Sequence, residues 1–284
     1  MLPWVNMNIE PQFHALIEEI KLASKLAKEY FDTDSTKNEQ KSDGSVVTEV
    51  DKGIERHLRE WIDREFPDDA VVGEEEEGKE GTSGFVWHID PIDGTNNFLR
   101  KIPFCAVSVA RLGPDAEDSF GIVHNPLTGQ TFASLMEAGA YENERVTNLT
   151  AEPLGGNYLV TVGSSRKEDW MNPAKYNLYK AVGQKFGRSA ALGSTALELA
   201  YLSSGRIDGF LTYGLNSYDY AAGLYLVRAA GGMISVFDGG EWKVFEGALR
   251  ELCADHGKTI FASHPDIHCE IRDFIGDPKK WADG

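Results

Sequence analysis

The sequence predicts an α/β protein, a sandwich of helices and sheets built in two subdomains. Three observations carry that expectation. Apolar residues recur at helical spacing over 11–31 and 49–66. The stretch 84–136 is rich in short Val-, Ile-, Phe- and Ala-bearing runs separated by turn residues. Helices and strands then alternate as far as residue 275. The subdomains are assigned to residues 1–147, with a helix pair, a sheet and most candidate ligands, and 148–284, an α/β unit for recognition.

Each element has its own signal. Phe13, Leu16, Ile17, Ile20, Ala23, Leu26, Ala27 and Tyr30 share one stripe, and Pro11 is tolerated in a first turn, so one helix is expected over 11–31. The polar DTDSTKNEQKSDGS reads as a loop. A helix over 49–66 follows, with Val50, Ile54, Leu58 and Ile62 aligned and Pro67 ending it. A short apolar run then ends at Glu74. Strands are expected at 85–90, 103–112, 119–124 and 130–136, with turns at Gly113-Pro114-Asp115 and from Asn125 to Gly129. Beyond the join near 148–157, strands at 158–163, 207–213, 232–237 and 259–262 interleave with helices at 173–186, 194–203, 217–230 and 265–275.

Composition narrows the partners. The net charge of −17, from 28 basic against 45 acidic residues, argues against nucleic acid or an anionic membrane. An anionic ligand would need cations to offset repulsion, and surplus carboxylates suit metal ions. No apolar run approaches the roughly 18 residues of a membrane helix. MLPWVNMNIEPQ lacks the basic and apolar regions of a secretory signal, and three dispersed cysteines suit reduced thiols, so a cytoplasmic protein is expected.

The segment WHIDPIDGTNNF, residues 87–98, carries the chemistry. Asp90 ends an apolar strand, Pro91 cannot donate to a ladder, and Gly94 permits an unusual backbone angle. Asp90 and Asp93 can then converge with the Ile92 carbonyl between them, a donor set for a hard cation such as Mg²⁺. Thr95 opens a helix whose free N–H groups suit an anion. An EF-hand is excluded, because Gly94 is at its fifth position and Lys101 at its twelfth. A plain capped turn explains the same residues taken alone. Elsewhere, Thr48 and Asp51 suit a helix capping pair, and Asp219, after a Ser217 cap, suits a helix dipole.

KSDGSVVTEVD, GEE, WHIDPIDGTNNF, GSSR (163–166), GSTAL (193–197) and YDYAAG together resemble the inositol monophosphatase family, of the lithium-sensitive sugar-phosphatase superfamily, from about residue 36 to 237. The resemblance implies a layered αβαβα sandwich, a homodimer, and two or three Mg²⁺ ions per site, with Mn²⁺ able to substitute. It implies metal ligation by Glu74, Asp90, Ile92 (through its carbonyl), Asp93 and Asp219. Glu74, Thr95 and Asp51 would position and deprotonate the attacking water, without a covalent enzyme intermediate. Asp93, Gly94, Thr95, Gly193, Ser194, Thr195, Thr212 and Asp219 would contact substrate. Gly193 to Thr195 also read as a helix start with a cap. Lys41 matches a loop lysine near the site in relatives; a solvated surface lysine is the other reading.

The expected activity is therefore Mg²⁺-dependent hydrolysis of a small polyol or sugar phosphate. Thr212 departs from the pattern, since inositol-specific relatives carry a hydroxyl-binding Glu there, and Tyr218 replaces the usual Trp. Histidinol phosphate and fructose 1,6-bisphosphate are alternative substrates, 3′-phosphoadenosine 5′-phosphate fits the charge least well, and a catalytically quiet binding or regulatory protein is the alternative of another class. His264, His268 and Cys269 have zinc-like spacing without a paired ligand set; His88 and His124 read as structural. Trp61 and Trp170 read as surface or interface aromatics.

Overall fold

The computed structural model describes residues 10–33, 38–40, 46–114, 118–135, 139–143, 145–147, 149, 157–164, 171–255 and 257–282. Its first apolar stripe forms two helices rather than one, α1 (Glu10–Ala23) and α2 (Lys25–Asp32). Ser24 divides them: its Oγ donates to the Ile20 carbonyl at 2.6 Å. A hydroxyl bonded back one turn bends a helix without stopping it. Within the expected loop, β1 (Asn38–Gln40) pairs antiparallel with β2 (Val46–Thr48). Helix α3 (Glu49–Glu65) follows directly.

Next come β3 (Ala70–Gly73), β4 (Val86–Asp93), the short α4 (Thr95–Leu99), β5 (Ala106–Leu112), β6 (Phe120–His124), β7 (Thr131–Leu135), β8 (Ala140–Glu142) and β9 (Arg145–Thr147). These seven strands form one sheet in sequence order. Only β3 and β4 run parallel in it; the other neighbours are antiparallel.

The rest of the chain supplies β10 (Tyr158–Ser164), α5 (Met171–Phe186), β11 (Gly187–Ala190), α6 (Thr195–Ser203), β12 (Gly209–Tyr213), α7 (Ser217–Ala229), β13 (Met233–Asp238), β14 (Glu241–Val244), α8 (Leu249–Cys253), β15 (Thr259–Ser263) and α9 (Pro265–Ile275), then a 3₁₀ turn (Pro278–Trp281). A second sheet has the order β11-β10-β12-β15-β13-β14. Its β10 pairs parallel with β11 and β12, across the helical crossovers that parallel pairing needs.

Three apolar clusters stack these layers. Phe13, Leu16, Ile54 and Leu58 from α1 and α3 cover Trp87, Val109 and Phe120 on the outer face of the first sheet. Between the sheets, α6 and α7 place Leu197, Leu199, Tyr220 and Leu224 against Ala110 and Val123 on one side and Phe210, Ile234 and Ile260 on the other. Leu178 and Val182 of α5, with Ile267 and Ile271 of α9, cover Val160, Val162 and Leu211 on the far face. The result is the αβαβα sandwich. Trp61 corrects the surface expectation: it is buried, with its ring 6.3 Å from Trp87. Trp170 lies outside the described residues. No helix among the described residues is long and apolar enough to cross a membrane.

Candidate active site

In a regular strand, residues three apart point to opposite faces. Asp90 and Asp93 escape this because β4 bulges between them: Asp90 pairs with Ser108, yet Asp93 pairs with Ala106. One extra residue on β4 returns Asp93 to the side of Asp90. Pro91 can sit in such a bulge because it has no ladder bond to lose. The strand thus runs through the proline instead of ending at Asp90. The Asp90 carboxylate accepts from Ile92 N at 3.0 Å, and the Ile92 carbonyl accepts from the Thr95 hydroxyl at 3.0 Å. Gly94, at φ 88°, then turns the chain into α4.

Asp93 is anchored from the second half of the chain. Its Oδ2 accepts from Ser194 Oγ at 2.6 Å and from Ala196 N at 2.7 Å. Ser194 caps α6 as well, with its Oγ accepting from Leu197 N at 3.4 Å. The segment from Gly193 to Thr195 therefore holds a candidate ligand in place as well as starting a helix. Behind it is Glu198, which the motif reading missed; its Oε1 accepts from Leu192 N at 3.0 Å and Gly193 N at 2.9 Å. A carboxylate inside the apolar run TALELAYL was the available signal.

Asp219 stands in the first turn of α7, where its Oδ2 accepts from Asn216 N at 2.7 Å. Asn216, rather than Ser217, is the N-cap. Ser217 bonds His88 Nδ1 at 3.0 Å, joining α7 to β4. Oxygens of Asp90, Asp93 and Asp219 lie within 4.8 Å of one another. Glu74 falls outside that tight trio, but its charge acts on both Asp90 and Tyr218.

A buried glutamate on α3 shapes the Glu74 loop. Glu55 accepts from Glu75 N at 2.8 Å, Glu76 N at 3.2 Å and Arg59 Nε at 2.8 Å. It comes so near Gly73 that a Cβ there would lie 2.1 Å from Glu55 Oε1. Any larger residue before Glu74 would have to displace the ends of the Glu55 and Arg59 side chains. One turn earlier on α3, Asp51 is fully buried, and its charge reaches Asp90, Tyr30 and Cys105.

The electrostatics follow from crowding. Burial, then the charges of Glu74, Asp93, Asp219 and Asp51, push Asp90 well above the usual carboxylate range. Burial lifts Asp93 to about 7, against the opposing bonds from Ser194 and Ala196. Burial also raises Glu198 and, together with Asp219, Glu74 and Asp90, the Tyr218 phenol. An all-oxygen, mutually repelling set of this kind, with Asp90 and Asp93 buried and Asp219 partly so, fits a hard divalent cation, which would offset both the desolvation and the repulsion.

Thr212 lies on β12 opposite Gly163 and Ile260, 1% exposed, and its hydroxyl has no hydrogen-bond partner among the described residues. Lys41 lies outside the described residues, as does the side chain of Thr48. His264 caps α9 through Asp266 N at 3.2 Å, His268 sits between Ser235 and Ser263 at 2.7 Å each, and Cys269 is exposed. Those bonds give the histidines structural roles. His124 likewise bonds the Thr131 hydroxyl at 2.9 Å. All three cysteines are free thiols.

Comparison with known proteins bears on this geometry. The family model described as "Inositol monophosphatase family" matches residues 8–270. The chain is 34% identical over 260 residues to the Nus factor SuhB of Escherichia coli strain K12, spanning 90% of this chain and 94% of that protein. Among solved structures, the Thermotoga maritima IMPase superimposes with a TM-score of 0.78 at 26% identity, covering 96% of this chain and 99% of that one. The inositol monophosphatase from Anabaena, at 24% identity and a TM-score of 0.75, shares the fold over 94% of this chain and 96% of its own.

Proposed function

Because the chain belongs to the inositol monophosphatase family, we propose that it is a Mg²⁺-dependent phosphomonoesterase acting on a small polyol or sugar phosphate. The observation that carries this reading is the close trio Asp90, Asp93 and Asp219, the first two buried and the third partly so, with oxygens within 4.8 Å of one another. Asp90, Asp93, Asp219, Glu74 and the Ile92 carbonyl would hold the metal, with Mn²⁺ an acceptable substitute. Bound there, Mg²⁺ supplies Lewis acidity that neutralises phosphate charge and lowers the pKa of water.

The chain's own groups do the rest. Glu74, whose loop Glu55 fixes, is the base for the attacking water. The Thr95 hydroxyl, set by its bond to the Ile92 carbonyl, orients that water, and Asp51 backs the pair from α3. Backbone N–H groups of Gly94 and Thr95 receive phosphate oxygens. Asp93, fixed by Ser194 and Ala196, faces the substrate from the other half of the chain. With Thr212 a poor match to a hydroxyl-binding glutamate, the alcohol portion is the open half of the specificity. The working form on this reading is a homodimer, with a sedimentation mass of twice 31.4 kDa.

The test is phosphate release from inositol 1-phosphate, histidinol phosphate, fructose 1,6-bisphosphate and 3′-phosphoadenosine 5′-phosphate, with Mg²⁺ and with chelator. Release should require metal, and Asp93→Asn should abolish it; a fully active variant would sink the assignment. The name Nus factor on a 34% identical relative favours a second reading, a binding or regulatory protein. Metal-dependent turnover of any of the four esters at ordinary enzyme rates, roughly 1 per second or above, tells against a purely binding role.

A further inference from the structure

Arginines that are not fully exposed normally find acceptors, because a guanidinium carries five N–H donors that burial strips of water. Among the described residues, Arg59 bonds Glu55, Arg111 bonds Asp69, Arg228 bonds the carbonyls of Phe245 and Gly247, and Arg272 bonds Asp273. Arg250 is also partly buried, yet it makes no hydrogen bond or ion pair among the described residues. In a chain with 45 acidic against 28 basic residues, that is an unusual cation to leave without a partner.

Its position suggests a purpose. Arg250 lies on α8 and lines two cavities, one of about 310 Å³ and one of about 250 Å³. The larger is walled by Val72, Val86 and Cys253, with His88 and Ser217 as polar points. None of the candidate metal ligands lines it. Its volume is at the lower end for small-molecule sites, and its walls combine apolar surface with a single free cation.

We propose that this cavity is a binding site for a small carboxylic acid anion with an apolar body, its carboxylate held by Arg250. Guanidinium and carboxylate match in a two-bond geometry, whereas the Val and Cys walls suit a hydrocarbon portion. A single negative charge is favoured over a dianion, because Glu251 also lines the cavity and the whole chain is strongly acidic. The site backs onto the candidate catalytic centre: its polar wall, the His88–Ser217 bond, is two residues from Asp90 on β4 and two from Asp219 on α7. The proposal does not depend on the phosphatase reading.

Calorimetric titration of the Mg²⁺-supplemented full chain tests it, with cyclohexanecarboxylate as probe and its neutral carboxamide and inorganic phosphate as comparators. The carboxylate should bind and the amide bind more weakly. Arg250→Gln should weaken the carboxylate by roughly tenfold or more, the scale of about 1.4 kcal/mol. Ala254→Trp, at an exposed position on the cavity rim, should block it in a folded protein. Equal binding to wild type and Arg250→Gln, no binding to wild type, or displacement of the carboxylate by inorganic phosphate would each overturn the assignment.

Discussion

A carboxylate held above its ordinary pKa by burial and by like charges binds a proton when no metal is present. Asp90 and Asp93 are in that condition, Asp93 reaching about 7. Their folded-state pKa values exceed the unfolded ones, so in metal-free protein the folded state holds more protons and these two groups weaken it as pH rises from about 4 through 7. A divalent cation competes with those protons. The rise in thermal midpoint on adding Mg²⁺ should therefore be small at pH 5 and grow towards pH 8. A gain independent of pH would contradict metal binding at these residues. Gly73 is the tightest point of the Glu74 loop. Gly73→Ala drives a methyl onto Glu55 Oε1, at 2.1 Å, and should cost about 1–3 kcal/mol in chemical denaturation. Because the displaced Glu55 bonds Glu75 N and Glu76 N, the Mg²⁺ concentration for half-maximal activity should rise as well.

Among the elements, α6 and α7 matter most, because they carry Ser194 at one start and Asp219 at the other. They cross closely at Gly223, where a Cβ would lie 2.5 Å from the Leu199 Cβ. Helix propensity alone favours Gly→Ala by about 1 kcal/mol. Gly223→Ala should nevertheless destabilise, because the crossing has no room for the methyl, and urea midpoints of the two proteins decide which effect wins. The main helices and central strands were legible because each carries a sustained apolar signal: α3 shows Val50, Ile54, Leu58 and Ile62 in line, and β5 (AVSVARL) and β6 (FGIVH) are mostly apolar. Elements missed in the sequence lack such a period. β11 is GRSA, β14 is EWKV with mostly exposed residues, and α8 has five residues. Tertiary pairing forms them, not local preference. The division of α1 from α2 was hidden because a bend at Ser24 leaves the apolar stripe intact. At the site, the motif residues were legible one by one. Their support was harder to read: Glu55 resembles a surface glutamate until its acceptor role is seen, and Glu198 was marked only by the apolar run TALELAYL around it.

For the molecule as a whole, acid sensitivity should be set by histidines as well as carboxylates once metal is bound. His124 in the first sheet and His268 beside the second are both lowered to about 4, chiefly by burial. With folded-state values below the unfolded one, each binds fewer protons when folded. Their stabilising contribution is complete above about pH 6.5 and is lost as pH falls through 6.5 towards 4. In Mg²⁺-loaded protein, release of the metal acts in the same direction, so the thermal midpoint should fall steeply over that window. With chelator present, Asp90 and Asp93 oppose the histidines and the decline should be shallower. The shared middle layer has a different consequence, for cooperativity. Both sheets bury their inner faces on the same two helices, so neither sheet has a closed interior without the other's share of that layer. A fragment ending near residue 150 would leave Ala110, Val123 and Phe132 open to water, and it should fail to give a cooperative melt by itself. The intact chain should unfold in one transition with matching calorimetric and van't Hoff enthalpies. A chain whose site is assembled from both ends cannot lose one half and keep the other.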